Sequence, residues 1–140
     1  MTLDKLDNLA RVKQLKIEPP DQTEFIGLVE SAKTRLHDAQ IEGLSDNGRF
    51  SLAYGAAHGF ALAALRWHGY RSTNRYLVFQ CLEQTLGLET AKWRILDKCH
   101  KLRNIAEYEG LLEITPQLLD ELINVSVELC SLVEKLGPVK

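Results

Sequence analysis

A chain of 140 residues that is 45% hydrophobic and 26% charged can bury one core of ordinary size and is too short for two ordinary domains. A formal charge of −2 and a pI near 6.1 exclude a generally basic nucleic-acid binder. The charge is uneven, however: between residues 66 and 103 eight Lys/Arg stand against three acids, a balance of +5 that leaves −7 for the remainder, and such a segment is either a solvated helix surface or an anion-binding face.

Residues 2–16 place Leu3, Leu6, Leu9, Ala10, Val12 and Leu15 at helical spacing behind Thr2 as a candidate N-cap, which predicts a peripheral first helix within residues 1–18. This stretch is amphipathic and carries Asp4 and Asp7, unlike a secretory leader, so the expected compartment is the cytoplasm. Pro19-Pro20 break the helix, since neither offers an amide donor. Asp21 then caps a second helix whose apolar face runs from Phe25 through Val29, Ala32 and Leu36 to Ile41, opening a bundle expected over residues 21–136. Ser45, Asp46 and Asn47, between Gly43 and Gly48, have turn chemistry and end it.

The third helix, expected over residues 49–70, is rich in Ala and Gly and lets neighbours approach its backbone. Gly55 and Gly59 each cost about 1 kcal/mol of helix propensity relative to alanine, which packing must offset. Residues 50–65 lack Asp, Glu, Lys and Arg but are shorter than a membrane span and contain His58, so they read as a buried helix, and no membrane association is expected. Tyr54 and His58 share a face; His58 is either a hydrogen-bonded core histidine or a member of a polar site. A shorter helix follows over residues 75–86, closed by Gly87. A fifth starts near Glu89, carries Lys92, Lys98, Lys101 and Arg103 on its polar face, and meets Gly110. Thr115-Pro116 opens the last, which runs to Leu136 before Gly137-Pro138. With no sustained strand alternation, the chain predicts one all-α domain, an up-and-down bundle of about five to six helices.

Cys81, Cys99 and Cys130 lack paired spacing and read as core thiols, and His37, His58, His68 and His100 show no metal-ligand spacing. There is no glycine-rich phosphate loop, so neither a metal nor a cofactor is expected. The stretch that draws chemical interest is Arg103-Asn104-Ile105-Ala106-Glu107-Tyr108-Glu109. It holds a guanidinium, an amide and a phenol at the end of the basic helix. A structural network is the alternative reading, because Arg103 and Glu107 are four apart.

The run Gly48-Arg49-Phe50-Ser51-Leu52-Ala53-Tyr54-Gly55-Ala56-Ala57-His58-Gly59 resembles the signature helix of small prokaryotic HEPN-domain proteins. Leu102-Arg103-Asn104-Ile105-Ala106-Glu107-Tyr108-Glu109 resembles that family's second landmark, and the likeness spans residues 21–136. The resemblance implies a homodimeric helical bundle whose Arg-containing stretches share a cleft. Many such proteins are metal-independent ribonucleases with an Arg-x4-6-His motif. Guanidinium clamps phosphate in that arrangement and imidazole moves protons. Carried over, Arg103 matches the arginine, Asn104 matches the polar residue after it, and Tyr108 stands where histidine is expected. A phenol, with an ordinary pKa of about 10, is a poor base at neutral pH.

The candidate catalytic set is therefore Arg103, Tyr108 and His58, and the candidate binding set is Arg49, Tyr54, Lys98, Lys101, Arg103, Asn104 and Glu107. The implied function is binding of RNA, a nucleotide or a nucleotidyltransferase-type partner, in a toxin–antitoxin or defence-related setting, with weak or no catalysis. Two alternatives stand beside it: a metal-independent endoribonuclease using Arg103, and a structural self-association module.

Overall fold

The computed structural model describes residues 3–139, so the Thr2 cap lies outside the described residues. The elements in order are α1 (Leu3–Arg11), β1 (Lys16–Ile17), α2 (Gln22–Ala39), α3 (Asp46–Trp67), β2 (Tyr70–Arg71), α4 (Arg75–Gln80), α5 (Leu82–Leu86), α6 (Thr90–Glu109) and α7 (Pro116–Glu134). The chain is 72% helical and forms an all-α bundle. No helix among the described residues is long and apolar enough to cross a membrane.

Local chemistry sets most boundaries. The side chains of Asp21, Ser45, Asn74 and Thr115 accept hydrogen bonds from the amides of Glu24, Gly48, Leu77 and Leu118, satisfying donors that a helix start leaves orphaned. Gly87 and Gly110 end α5 and α6 at φ 68° and 71°, a left-handed conformation that glycine adopts without cost. Three expectations shift. Because Ser45 caps, Asp46-Asn47-Gly48 form the first turn of α3 instead of a loop. Residues 75–86 split into α4 and α5 at Cys81. The first helix stops at Arg11, and after Lys13 at φ 65° the chain enters a two-residue antiparallel ladder, Lys16 opposite Arg71 and Ile17 opposite Tyr70. Two residues per strand are too few for alternation to show in sequence.

The cross-contacts fix helix directions. Arg66 meets Glu24, Gly59 meets Ala32, Gly55 meets Arg35, and Arg49 reaches the Ala39 carbonyl, so α2 and α3 run antiparallel. Ser126 donates to Ala53 O and Trp67 donates to Gly137 O, which sets α7 parallel to α3. The Lys92–Glu128 ion pair joins α6 to α7. Phe50, Phe60, Leu65, Leu122 and Leu129 are fully buried around α3.

Arg66 is a charge inside this core, 2% exposed, and its acceptors explain how it is tolerated. Nε donates to Glu24 at 2.6 Å, Nη1 to Glu18 O at 2.8 Å and Nη2 to Pro19 O at 2.8 Å. Arg71 joins the same carboxylates, donating to Glu18 at 2.8 Å and pairing with Glu24. The prolyl bend is thereby clipped to the end of α3.

Replacing Arg66 by Met strands two carbonyls and leaves Glu18 and Glu24 to Arg71 alone, and should lower stability by about 3 kcal/mol in urea unfolding. A hydrogen bond from Arg71 lowers the Glu18 pKa below 4.5, and for Glu24 the burial that would raise it is outweighed by bonds from Arg71 and Arg66. These depressed carboxylates contribute stability that is full above about pH 4.5 and is lost as pH falls through their folded values. Glu24→Gln should therefore show a shallower fall in Tm with acid than the wild type. A Cβ at Gly27 meets nothing within 4 Å, whereas one at Gly59 lies 3.0 Å from the Ala32 Cβ, which cannot move without its helix. Gly27→Ala should raise stability by about 1 kcal/mol. Gly59→Ala should lower it despite the same gain in propensity. Melts of the two variants moving in the same direction would overturn this account of the seam.

Candidate functional site

Four helices meet around a cleft of about 340 Å³. Helix α2 contributes Arg35, α3 contributes Tyr54 and His58 one turn apart, Arg75 is the first residue of α4, and α6 brings Arg103. The absent side chain of Gly55 makes room for Arg35, whose Cδ lies 3.2 Å from where a Cβ would stand. The guanidinium of Arg35 then has one side-chain partner, the hydroxyl of Ser31 at 3.0 Å.

Tyr54 is 3% exposed and stands at the centre. Its hydroxyl lies 2.9 Å from His100 Nδ1, and His100 Nε2 lies 3.1 Å from Asn104 Nδ2. With the Asn104 amide donating to Nε2, a neutral His100 carries its proton on Nδ1 and donates to Tyr54; turning the amide over reverses the chain. The guanidinium carbons of Arg103 and Arg75 lie 5.3 Å and 5.7 Å from the Tyr54 ring centroid, within cation–π range.

The charges are unbalanced. Arg103 pairs with Glu107 at 2.7 Å, and Glu107 is 57% exposed. Among the described residues Arg35 and Arg75 have no carboxylate partner, and no carboxylate lines the cleft. His58 registers the result: burial, followed by Arg75, Arg103 and Arg35, pushes its pKa down to about 4. Burial and then Arg103 also lower His100, against a pull from Asp97. Burial raises the Tyr54 phenol, opposed by Arg103 and Arg75. At neutral pH the cleft is therefore lined by three guanidiniums and the neutral imidazole of His58, an arrangement able to take an anion.

Of the residues singled out in the sequence, the structure brings Tyr54, His58, Arg103 and Asn104 together. It adds Arg35 and Arg75, which sequence reasoning missed, and bonds His100, which is outside the lining, to Tyr54. The local signal for Arg75 is its position, a cation at a helix N-terminus, which the helix dipole disfavours. Arg35 carries no such signal. Arg49 instead holds the end of α2, donating to Ala39 O at 2.8 Å. Lys101 pairs with Asp97 at 3.0 Å, and Lys98 is exposed on α6 outside the lining. Tyr108 is 91% exposed, also outside it. The +5 segment is not one continuous face, because Arg66, Arg71, Lys92 and Lys101 are each neutralised by carboxylates. Among the described residues no group of three or more His, Cys, Asp or Glu gathers as a metal site.

No protein-family model matches the chain, and no curated protein matches it.

The field at His58 can be measured directly. In an NMR titration its imidazole should protonate near pH 4. In Arg103→Ala the midpoint should move up toward the ordinary value of about 6.5, because a like charge has been removed. An unchanged midpoint would mean that the arginine does not act on the histidine.

Proposed function

We propose that this cleft binds the phosphate groups of RNA or of a nucleotide. The observation that supports the reading most is the convergence of Arg35, Arg75 and Arg103 on one cavity whose lining contains no carboxylate. Guanidiniums kept together without counter-charge repel one another, and a bound phosphate relieves that repulsion through charge-assisted, bidentate hydrogen bonds. The resemblance of the Arg49-to-Gly59 and Leu102-to-Glu109 stretches to HEPN-domain proteins points the same way. On this reading the protein is a HEPN-like homodimer in a toxin–antitoxin or defence-related setting, with a nucleotidyltransferase-type protein as a further partner. Exposed Ile105, Tyr108 and Leu111 at the end of α6 offer an apolar surface for a second copy.

A second reading, metal-independent cleavage of RNA, is favoured by one specific observation: His100 is held by Tyr54 and Asn104 beside Arg103. There His100, with Nε2 released from Asn104, would take the proton of the ribose 2′-hydroxyl as its oxygen attacks the adjacent phosphorus. The bond to the next nucleotide's 5′-oxygen would break, with that oxygen taking a proton from solvent, and Arg103 would stabilise charge on the attacked phosphate. Incubating the protein with RNA under chelation, with His100→Ala as control, separates the two, and intact RNA at every pH tested sinks cleavage.

For binding, anisotropy of a labelled oligouridylate should show affinity falling as salt rises. Arg75→Ala and Arg103→Ala should each weaken binding about tenfold and reduce the salt slope by about one. Lys98→Ala, outside the cleft, should change it about twofold or less. Unaltered affinity in both arginine variants would remove the site and leave the self-association module as the surviving reading.

A further inference from the structure

We infer that the cleft is shaped and charged for a phosphate monoester, the terminal phosphate of a nucleotide or of an RNA strand, in preference to the internal diesters of a strand passing through. This rests on the phosphate-binding reading of the same cleft and narrows it.

Charge is the first reason. Among the described residues Arg35 and Arg75 have no carboxylate partner, and Arg103 shares its charge with one solvent-facing carboxylate, Glu107. About two positive charges therefore remain unmatched. A phosphate monoester at neutral pH carries about −1.5 to −2 and presents three free oxygens. A diester carries a single charge and two. Two or three planar forks, each seeking a pair of oxygens, are better filled by the monoester. His58, neutral at the centre of the cluster, adds no positive charge and lines the same cavity with a ring nitrogen.

Shape is the second. A strand that continues past its bound phosphate needs an exit on both sides. Here the seam of α2 and α3 closes the cleft at the Gly59–Ala32 contact, where even an added methyl would stand 3.0 Å from its neighbour. Leu28 and Leu62 flank that closed end as an apolar wall. A volume of about 340 Å³ admits a phosphate with part of one nucleoside, at the lower end of ordinary small-molecule sites. A phosphate held by Arg35, Arg75 and Arg103 therefore has a closed seam and an apolar wall on one side. A chain terminus or a free nucleotide needs no second exit.

The local architecture of the arginines supports a built site over a chance cluster. Where an arginine is drawn into the packing elsewhere it meets acceptors: Arg66 has Glu24 and two carbonyls within 2.8 Å, and Arg49 has the Ala39 carbonyl at 2.8 Å. Arg75 is placed at the start of a helix, where its charge opposes the dipole, and Arg35 crosses a glycine. Arg75 has the Tyr54 ring and Arg35 the Ser31 hydroxyl, neither of which carries a negative charge, so an anion in the space they face would supply what is missing.

The test compares ligands that differ only in phosphate form, by calorimetric titration of the full chain. Adenosine 5′-monophosphate is set against adenosine 3′,5′-cyclic monophosphate, and 5′-phosphorylated hexauridylate against the same oligonucleotide with a 5′-hydroxyl. The monoester of each pair should bind about tenfold tighter or more. A preference in both pairs points to strand ends as well as free nucleotides, and a preference confined to the first restricts the site to free nucleotides. In Arg75→Gln the ratio should fall toward one. Arg35→Gln provides the same readout without disturbing a helix start, since among the described residues the Arg35 side chain is hydrogen-bonded to Ser31 alone. Equal affinity of monoester and diester in the wild type would overturn the inference and leave phosphate binding intact. Absence of binding by all four probes would overturn both.

Discussion

The contact between Gly59 and Ala32 governs where the rest of the cleft can be. Without a Cβ at residue 59 the two long helices close until the Ala32 methyl occupies the space, and Arg35, nearly one turn further along α2, is carried over Gly55. A larger residue at Gly59 would move α2 outward and take the first guanidinium with it, and one at Gly55 would displace the Arg35 side chain itself. Two glycines in one helix are unfavourable by about 1 kcal/mol each, and packing has to supply the difference. The buried alanines at 53, 56, 57, 61, 63 and 64 show how: nearly the whole circumference of α3 is in contact with other elements. The same seam that closes the back of the cleft therefore also arms it.

The fold treats its arginines in two ways. Arg66, buried in the core, is surrounded by acceptors, as a desolvated charge must be, and its network holds the prolyl bend and the short ladder against the end of α3. Arg35 and Arg75 are left with little or nothing to neutralise them, and Arg103 has a single carboxylate at the rim. A network whose purpose was to join helices would resemble the first arrangement, because unpaired like charges weaken the packing they occupy. The Arg103–Glu107 pair is part of such a network, and it is compatible with ligand binding because its carboxylate faces solvent.

Much of the fold was legible because helices announce themselves locally. Asp21 and Thr115 cap where the apolar periodicity begins, and Gly87 and Gly110 stop it where it ends. What was not legible lies in short or long-range features. Ser45 turns Asp46-Asn47-Gly48 from apparent loop into helix, a choice decided by one side-chain hydrogen bond. The ladder between β1 and β2 joins segments more than fifty residues apart, held by Arg66 and Arg71 rather than by any strand pattern. The cleft was half visible: Tyr54, His58 and Arg103 carry recognisable chemistry, but Arg35 and Arg75 enter through the crossing of helices. Reading Lys98, Lys101 and Arg103 as one basic stripe overlooked that Asp97, one turn back on α6, neutralises Lys101.

The histidines show what such a site can do and in what order. His58 is held neutral by burial and by three neighbouring guanidiniums, and His100 by burial and Arg103. In the empty cleft neither is poised to donate a proton at neutral pH. A bound phosphate cancels the arginine contribution while burial remains, so both imidazoles become easier to protonate only once an anion is present. On the phosphate-binding reading, proton uptake by these imidazoles is coupled to binding, and His100 can serve as an acid only after a ligand has neutralised the arginines, although its neutral ring is already in the basic form. On that reading the guanidiniums set the primary property of the cleft, anion recognition, and the chain from Tyr54 through His100 to Asn104 is secondary to it.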